Sequence, residues 1–298
     1  MNAPSPVVAA VSAYRLMVSS SSVIGMVPLN PRKLNQDRYW NDDLHGTGMK
    51  YIGVADGHGM NGHGIAELVK NQLPRLLSVQ PALADDPKSA LLKAHSEMDT
   101  SIKKSGIETS FSGTTSTSVL ISGTKLLCAN LGDSRALLGY SDKGIDWRLK
   151  QLSRDHKPDD GEEKARIIAA GGRVMSYKGA NGISIGPPRV WLKNQDSPGL
   201  AMSRSFGDSV ASTVGVSTEP EITEYNMGPS DKIIIVASDG VWEFLSNEEV
   251  MTIVSAHYRK GNTELAVEQL CTRARYRWQD EEEVIDDITA VILFRYPA

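Results

Sequence analysis

An α+β sandwich with largely antiparallel sheets is the fold class that this sequence predicts, and three observations carry the prediction. Short apolar runs bounded by Gly and Asp recur along the chain and read as buried strands. Helical patterns come in pairs between groups of these runs instead of alternating with single strands. The 298 residues, 40% apolar and 23% charged, are enough for a sizeable core, and no linker divides them.

Residues 1–15, rich in Ala, Val, Ser and Pro, are expected to form a flexible tail, leaving 16–298 as one domain. The start has no positive region of the kind that opens a signal peptide, and Asn2 in place of Gly removes a myristoylation signal. Two strands are expected at 38–40 and 50–55, joined by a polar turn around Asp42 to Gly48. Ile65, Leu68, Val69, Leu73, Leu76 and Leu77 then recur at helical spacing, with Pro74 marking a kink or an end. Asp86 before Pro87 is a helix start, and Leu91, Leu92, His95, Met98 and Ile102 share a side of that second helix. Strands follow at 115–121, 125–130, 135–140 and 147–151, then a short helix at 162–170 stopped by Gly171-Gly172. The Gly-, Pro- and Asn-rich stretch 174–199 reads as a long irregular flap. After a strand at 232–237, Ser246-Asn247-Glu248-Glu249 has capping-box spacing and predicts a helix ending near Gly261. Another helix from about Thr263 and a strand at 288–294 complete the chain.

The net charge of −4 and the lack of any basic block beyond pairs such as Lys103-Lys104 argue against nucleic acid as a general partner. No apolar window is long enough to span a membrane, so no membrane anchor is expected. Cys128 and Cys271 read as buried reduced thiols, and the expected location is the cytoplasm, the nucleus or both.

The strand ends carry the chemistry. Tyr51-Ile52-Gly53-Val54-Ala55-Asp56-Gly57-His58-Gly59 delivers a carboxylate, a glycine and an imidazole at the end of an apolar run. Residues 233–240 repeat the strand-acid-glycine pattern, and 126–134 is a looser version. Asp37 precedes one strand and Asp56 ends the next, so antiparallel pairing puts both at one end of a sheet. Asp239 ends its strand while Asp286 and Asp287 precede another, which repeats the arrangement. Oxygen ligands without thiolate suit Mg²⁺ or Mn²⁺ better than Zn²⁺, and a cation gives clustered acids a reason to coexist. For any one of these acids alone, a turn residue is the simpler reading; the repetition weakens it. Gly57-His58-Gly59-Met60-Asn61-Gly62 also imitates a dinucleotide loop, but Asp56 would face a pyrophosphate, and no strand-end acid follows near Leu77 for a ribose.

Arg32-Lys33-Leu34-Asn35-Gln36-Asp37, Asp56-Gly57-His58-Gly59, Ser112-Gly113-Thr114-Thr115, Gly132-Asp133-Ser134-Arg135, Asp155-His156-Lys157-Pro158, Ser203-Arg204-Ser205-Phe206-Gly207-Asp208, Ser238-Asp239-Gly240 and Asp286-Asp287-Ile288-Thr289 together resemble the motif series of the type-2C metal-dependent protein serine/threonine phosphatases. Order and spacing match from about Ser20 to Phe294. The resemblance implies a four-layer α-β-β-α sandwich, two Mn²⁺ or Mg²⁺ ions, and hydrolysis of phosphoserine and phosphothreonine in phosphoprotein substrates; a monomer is expected. By the same resemblance Asp56 bridges both metals, the Gly57 carbonyl binds one, Asp239 and Asp286 complete the other, and Asp37 acts through water. Asp133 with Asp239 would form a weaker third site found in some members. Arg32 would hold the phosphate and His58 would protonate the leaving alkoxide. Gln36 stands where some members carry Glu, which puts direct ligation by Gln36 in doubt. Asp208 is expected either near the metals or capping the turn after Phe206-Gly207, and His156 is expected to brace a loop. Trp191, Trp242 and Trp278 read as packing residues. A flap beside the site is the expected place for substrate choice, where a solvated loop is the simpler reading of Arg189, Trp191 and Lys193 and contact with phosphopeptide the alternative. Two other classes fit less well: an inactive phosphoprotein-binding relative, because no core acid is missing, and a two-metal phosphodiesterase or nuclease, because the composition is neutral to acidic.

Overall fold

The computed structural model describes residues 14–179 and 182–298. Residues 1–13 of the expected tail lie outside the described residues, while its last two, Tyr14 and Arg15, open a strand. Strands β1 (Tyr14–Val23), β2 (Arg38–Leu44), β3 (Met49–Ala55) and β4 (Gly57–His58) lead into helices α1 (Gly62–Ser78) and α2 (Pro87–Lys104). There follow β5 (Gly113–Thr114), β6 (Ser116–Ser122), β7 (Lys125–Leu131), β8 (Arg135–Tyr140), β9 (Arg148–Gln151) and α3 (Gly161–Ala169). Next are β10 (Arg173–Lys178), β11 (Ser184–Trp191), β12 (Pro198–Leu200), β13 (Phe206–Gly207), α4 (Ser209–Ser212), β14 (Glu221–Asn226) and β15 (Asp231–Ala237). The chain closes with α5 (Asp239–Trp242), α6 (Asn247–Ser255), α7 (Thr263–Glu281) and β16 (Ile288–Pro297).

Two five-stranded antiparallel sheets, ordered β1-β16-β15-β8-β9 and β14-β7-β6-β3-β2, form the centre of an α-β-β-α sandwich. Alternation of side chains along each strand gives every central strand two buried faces. On β3, Ile52 and Val54 point into the core shared with Val236 and Val291 of the other sheet, whereas Tyr51 and Ala55 meet α1 and α2. On β15, Ile234 and Val236 face that shared core, while Ile233, Ile235 and Ala237 pack with Val250, Leu270 and Ala274 of α6 and α7. Burial on both faces explains why these strands read as continuous apolar runs.

Four features depart from the sequence reading. β1 contains Ser19-Ser20-Ser21-Ser22, too polar to signal a strand, yet it pairs with β16 from Tyr14↔Pro297 to Val23↔Ile288. β14 is a similarly polar edge strand held by β7. α6 stops at Ser255, before a 3₁₀ turn at Tyr258–Lys260 that Gly261 ends in the left-handed region at φ 63°. The described part of the flap is a three-stranded antiparallel sheet, β10-β11-β12, and so is not irregular. Its register shifts between Met175 and Tyr177, opposite Gly186-Pro187-Pro188, so the prolines fall where the ladder is already broken. This subdomain has its own core of Ile167, Val190, Leu200, Met202, Val214 and Val216.

Candidate active site

Antiparallel pairing sets the acids at one rim of the sandwich. Arg38 pairs with Ala55 across β2 and β3, which brings Asp37 and Asp56 together at that end. Ala237 pairs with Ala290 across β15 and β16, and the Ser238 amide donates to the Thr289 carbonyl at 3.0 Å, so Asp239 and Asp286 leave the other sheet at the same rim. Asp133 follows β7, and Thr115 holds the Asp56 backbone through its amide and hydroxyl, at 2.9 and 3.0 Å.

The charges of these groups act on one another. Burial first, then the charges of Asp37, Asp239, Asp286 and Asp133, push the Asp56 carboxyl well above the usual carboxylate range. Asp239 is raised in the same way, by burial and then by Asp133 and Asp286. Asp37 is pushed up to about 7, mainly by burial, against a 2.7 Å hydrogen bond from the Ser238 hydroxyl to its Oδ2. Asp286 is also raised, by burial, although its Oδ1 accepts the Asp287 amide at 2.7 Å.

Among the described residues no three His, Cys, Asp or Glu side chains are drawn together as closely as around a bound ion. The fit of a cation therefore rests on the donors: all are hard oxygens, and Asp37 Oδ1, Asp133 Oδ1 and Asp239 Oδ1 are buried without a hydrogen-bond partner. Gly57 belongs to the same rim, where a Cβ would lie 2.5 Å from the Gly62 carbonyl oxygen; no side chain fits. Lys157 donates to Asp133 Oδ2 at 2.6 Å, an ion pair that sequence reasoning missed because 24 residues separate the partners. The pairing holds the ammonium charged, well above the usual lysine range despite its burial.

Arg32 lies exposed on the loop between β1 and β2, its amide bonded to Asn30 Oδ1 at 3.1 Å. That loop is clamped by Asp287, whose carboxylate accepts the amides of Gly25 (2.7 Å) and Gln36 (2.8 Å) and the Lys33 ammonium (2.6 Å). Gln36 turns its side-chain amide to the Gly59 carbonyl at 2.8 Å. The two adjacent acids thus divide: Asp286 joins the carboxylate group, and Asp287 holds a loop.

His58 sits on β4, and its Nε2 lies 2.6 Å from Asp208 Oδ2. Burial lowers the imidazole's affinity for a proton, but the charge and hydrogen bond of Asp208 outweigh it, and the net shift is upward. The Asp208 side chain does not cap α4; its Oδ2 meets His58 and accepts the Ser205 hydroxyl. His156 braces its loop as expected, Nδ1 accepting the Gly132 amide at 3.1 Å, and burial lowers it to about 4. Trp191, Trp242 and Trp278 pack and donate to the carbonyls of Met175, Ala237 and Gly240. A cleft of about 230 Å³ lies between the rim and the flap, lined in part by His58, Phe111, Arg189 and Met202.

The sandwich is shared with solved structures. A serine-threonine phosphatase 2C from Toxoplasma gondii superposes with a TM-score of 0.80 at 22% identity, covering 94% of each chain. A C. elegans sex determining protein gives 0.71 at 23% identity, covering 94% of this chain and 64% of that one. These likenesses define the fold. Residues 41–281 match the family model described as Protein phosphatase 2C. Probable protein phosphatase 2C 35 of Arabidopsis thaliana is 35% identical over 299 residues, covering 94% of this chain and 84% of the relative. Probable protein phosphatase 2C 12 of Oryza sativa subsp. japonica is 36% identical, covering 84% and 75%. The chain belongs to the protein phosphatase 2C family of metal-dependent serine/threonine protein phosphatases. The matched segment contains Asp56, Gly57, His58, Asp133 and Asp239, while Arg32, Asp37 and Asp286 fall outside its bounds.

Proposed function

We propose that this phosphatase hydrolyses phosphoserine and phosphothreonine by in-line displacement at a centre for two Mn²⁺ or Mg²⁺ ions. The carrying observation is that acids from the strand ends of both sheets are buried together at one rim, with three of their oxygens orphaned. When bound, such ions supply a hydroxide nucleophile at neutral pH and neutralise charge on the phosphoryl oxygens. Asp56, whose charge is felt together with those of Asp37, Asp239, Asp286 and Asp133, would be shared by both ions; the Gly57 carbonyl would serve one, and Asp239 and Asp286 the other. Asp37, held by Ser238, would act through water. Asp133 has only Oδ1 to offer a third ion while Oδ2 holds Lys157, which supports a weaker site there.

Arg32 is exposed on a clamped loop, and its guanidinium presents paired donors suited to phosphate oxygens. His58 delivers a proton to the leaving alkoxide, and the cleft beside it gives the substrate chain room. The test is Mn²⁺- or Mg²⁺-dependent release of phosphate from a phosphothreonine peptide. Asp56→Ala and Asp239→Ala should each abolish it, and activity equal to these variants at saturating metal would overturn the reading. His58→Ala should slow the peptide more than an activated aryl phosphate, whose leaving group needs no proton.

A further inference from the structure

His58 is held by more than one contact, and the parts that hold it come from distant stretches of chain. β4, β5 and β13 form a three-stranded sheet in which His58 pairs with Gly113 and Gly113 pairs with Gly207. This sheet sets the residue after Gly207 across from the imidazole. That residue is Asp208, buried, with φ 43° and ψ 49°, a left-handed conformation that a non-glycine residue adopts at a cost. Its Oδ2 meets His58 Nε2 at 2.6 Å and also accepts the Ser205 hydroxyl at 2.5 Å. At Gly113 a Cβ would stand 2.2 Å from the same Oδ2, so the absence of a side chain there leaves space for the carboxylate. The other ring nitrogen, His58 Nδ1, is buried without a hydrogen-bond partner.

We infer that Asp208 is a positioning residue for His58, fixing the imidazole with Nε2–H on the carboxylate and Nδ1 as the nitrogen that serves the leaving group. The inference rests on His58 acting as the proton donor. In that step a water-derived oxygen bonds to phosphorus while the P–O bond to the leaving group breaks and its electron pair stays on the leaving oxygen. The Nδ1 proton of the imidazolium moves to that oxygen, giving the free hydroxyl of serine or threonine. A neutral imidazole protonated at Nε2 remains, still bonded to Asp208, and it takes a proton from solvent at Nδ1 before the next turnover. Ser205 keeps Oδ2 oriented. An acid that instead accepted from Nδ1 would turn the wrong nitrogen to the substrate, so the tautomer matters as much as the position.

Asp208→Asn keeps the size of the side chain and tolerates the left-handed backbone. It is expected to lower kcat for a phosphothreonine peptide by about 10- to 100-fold, part of the ~10²- to 10⁴-fold that general acid catalysis supplies, and for an aryl phosphate by less than about threefold. In a His58→Ala background it should add no further loss on the peptide. Equal losses on both substrates, or a full additional loss without His58, would overturn the proposal. A second measurement does not depend on a variant folding. In Mg²⁺-loaded wild-type protein labelled with ¹⁵N-histidine, at a pH where His58 is neutral, its ring signals should show the proton on Nε2. A proton on Nδ1 would overturn the assignment. Should His58→Ala slow both substrates equally, proton donation by His58 fails, and the nitrogen signals still report separately on its pairing with Asp208.

Discussion

Replacing Asp287 by alanine removes the clamp of the loop that carries Arg32 and Asp37, and its cost follows from what is left behind. The buried carboxylate accepts two backbone amides and the Lys33 ammonium, at 2.7, 2.8 and 2.6 Å. The Lys33 side chain is only 15% exposed and that of Asp287 4%, so this is a sheltered pair, and removing one partner strands a charge away from water. Breaking such a pair costs about 3–5 kcal/mol. With a urea dependence of ~3 kcal/mol per molar, the unfolding midpoint should fall by roughly 1–1.7 M. A double-mutant cycle with Lys33→Met should return a coupling of about 1.5–3 kcal/mol. Because Arg32 sits beside Lys33, the KM for a phosphopeptide should rise on the order of tenfold, the equivalent of ~1.4 kcal/mol. A loss of stability below ~1 kcal/mol in Asp287→Ala, or a coupling near zero, would refute the clamp.

Metal should stabilise the protein more at pH 8 than at pH 5. Without metal, the Asp37 pKa is raised from 3.8 to about 7, so the fold holds a proton that the unfolded chain has released, and stability falls as pH rises through that window. A cation that takes over this charge relieves more at high pH, so equal thermal shifts on adding Mg²⁺ at the two pH values would contradict the shared acidic rim. His95, buried on α2 and lowered to about 4 by burial, works in the opposite sense. The unfolded chain gains its proton below pH 6.5 while the fold does not until about 4, so stability is lost as pH falls between them, by up to ~1.4 kcal/mol per pH unit. The stability of wild type relative to His95→Phe in urea should fall by that slope as pH drops through this window, and a difference that stays constant would show that burial does not lower the proton affinity of His95. Ser246→Ala removes the capping box in which the Ser246 hydroxyl accepts the Glu249 amide and Glu249 accepts the Ser246 amide. About 1 kcal/mol should be lost in equilibrium unfolding, with kcat unchanged.

What could be read from the chain depended on how far each signal reaches. The buried strands and the long helices announce themselves locally, since apolar spacing and a capping residue such as Asp86 lie within one turn or one strand. The meeting of Asp37, Asp56, Asp239 and Asp286 was also legible, because antiparallel pairing of two adjacent strands converts position in the chain into position at a rim. β1 was not legible, because its four serines owe their conformation to β16, more than 250 residues away. The flap looked irregular because glycine and proline mark a bulged hairpin and a loop alike. Lys157 facing Asp133, and Asp208 facing His58, required knowing which short strands cross. No periodicity encodes a two-residue strand.

The acids at the rim come from two different sheets, and this has a consequence for the chain before it is fully folded. Asp37 and Asp56 can come together when β2 and β3 pair, and Asp239 and Asp286 when β15 and β16 pair. Either half alone holds only a pair of carboxylates, open to water and able to share a proton. Only the docking of Ile52 and Val54 against Val236 and Val291 brings the halves face to face. The rim is therefore a property of the docked sandwich: parting the two sheets leaves each with half of the carboxylates, even where its own strand pairing survives.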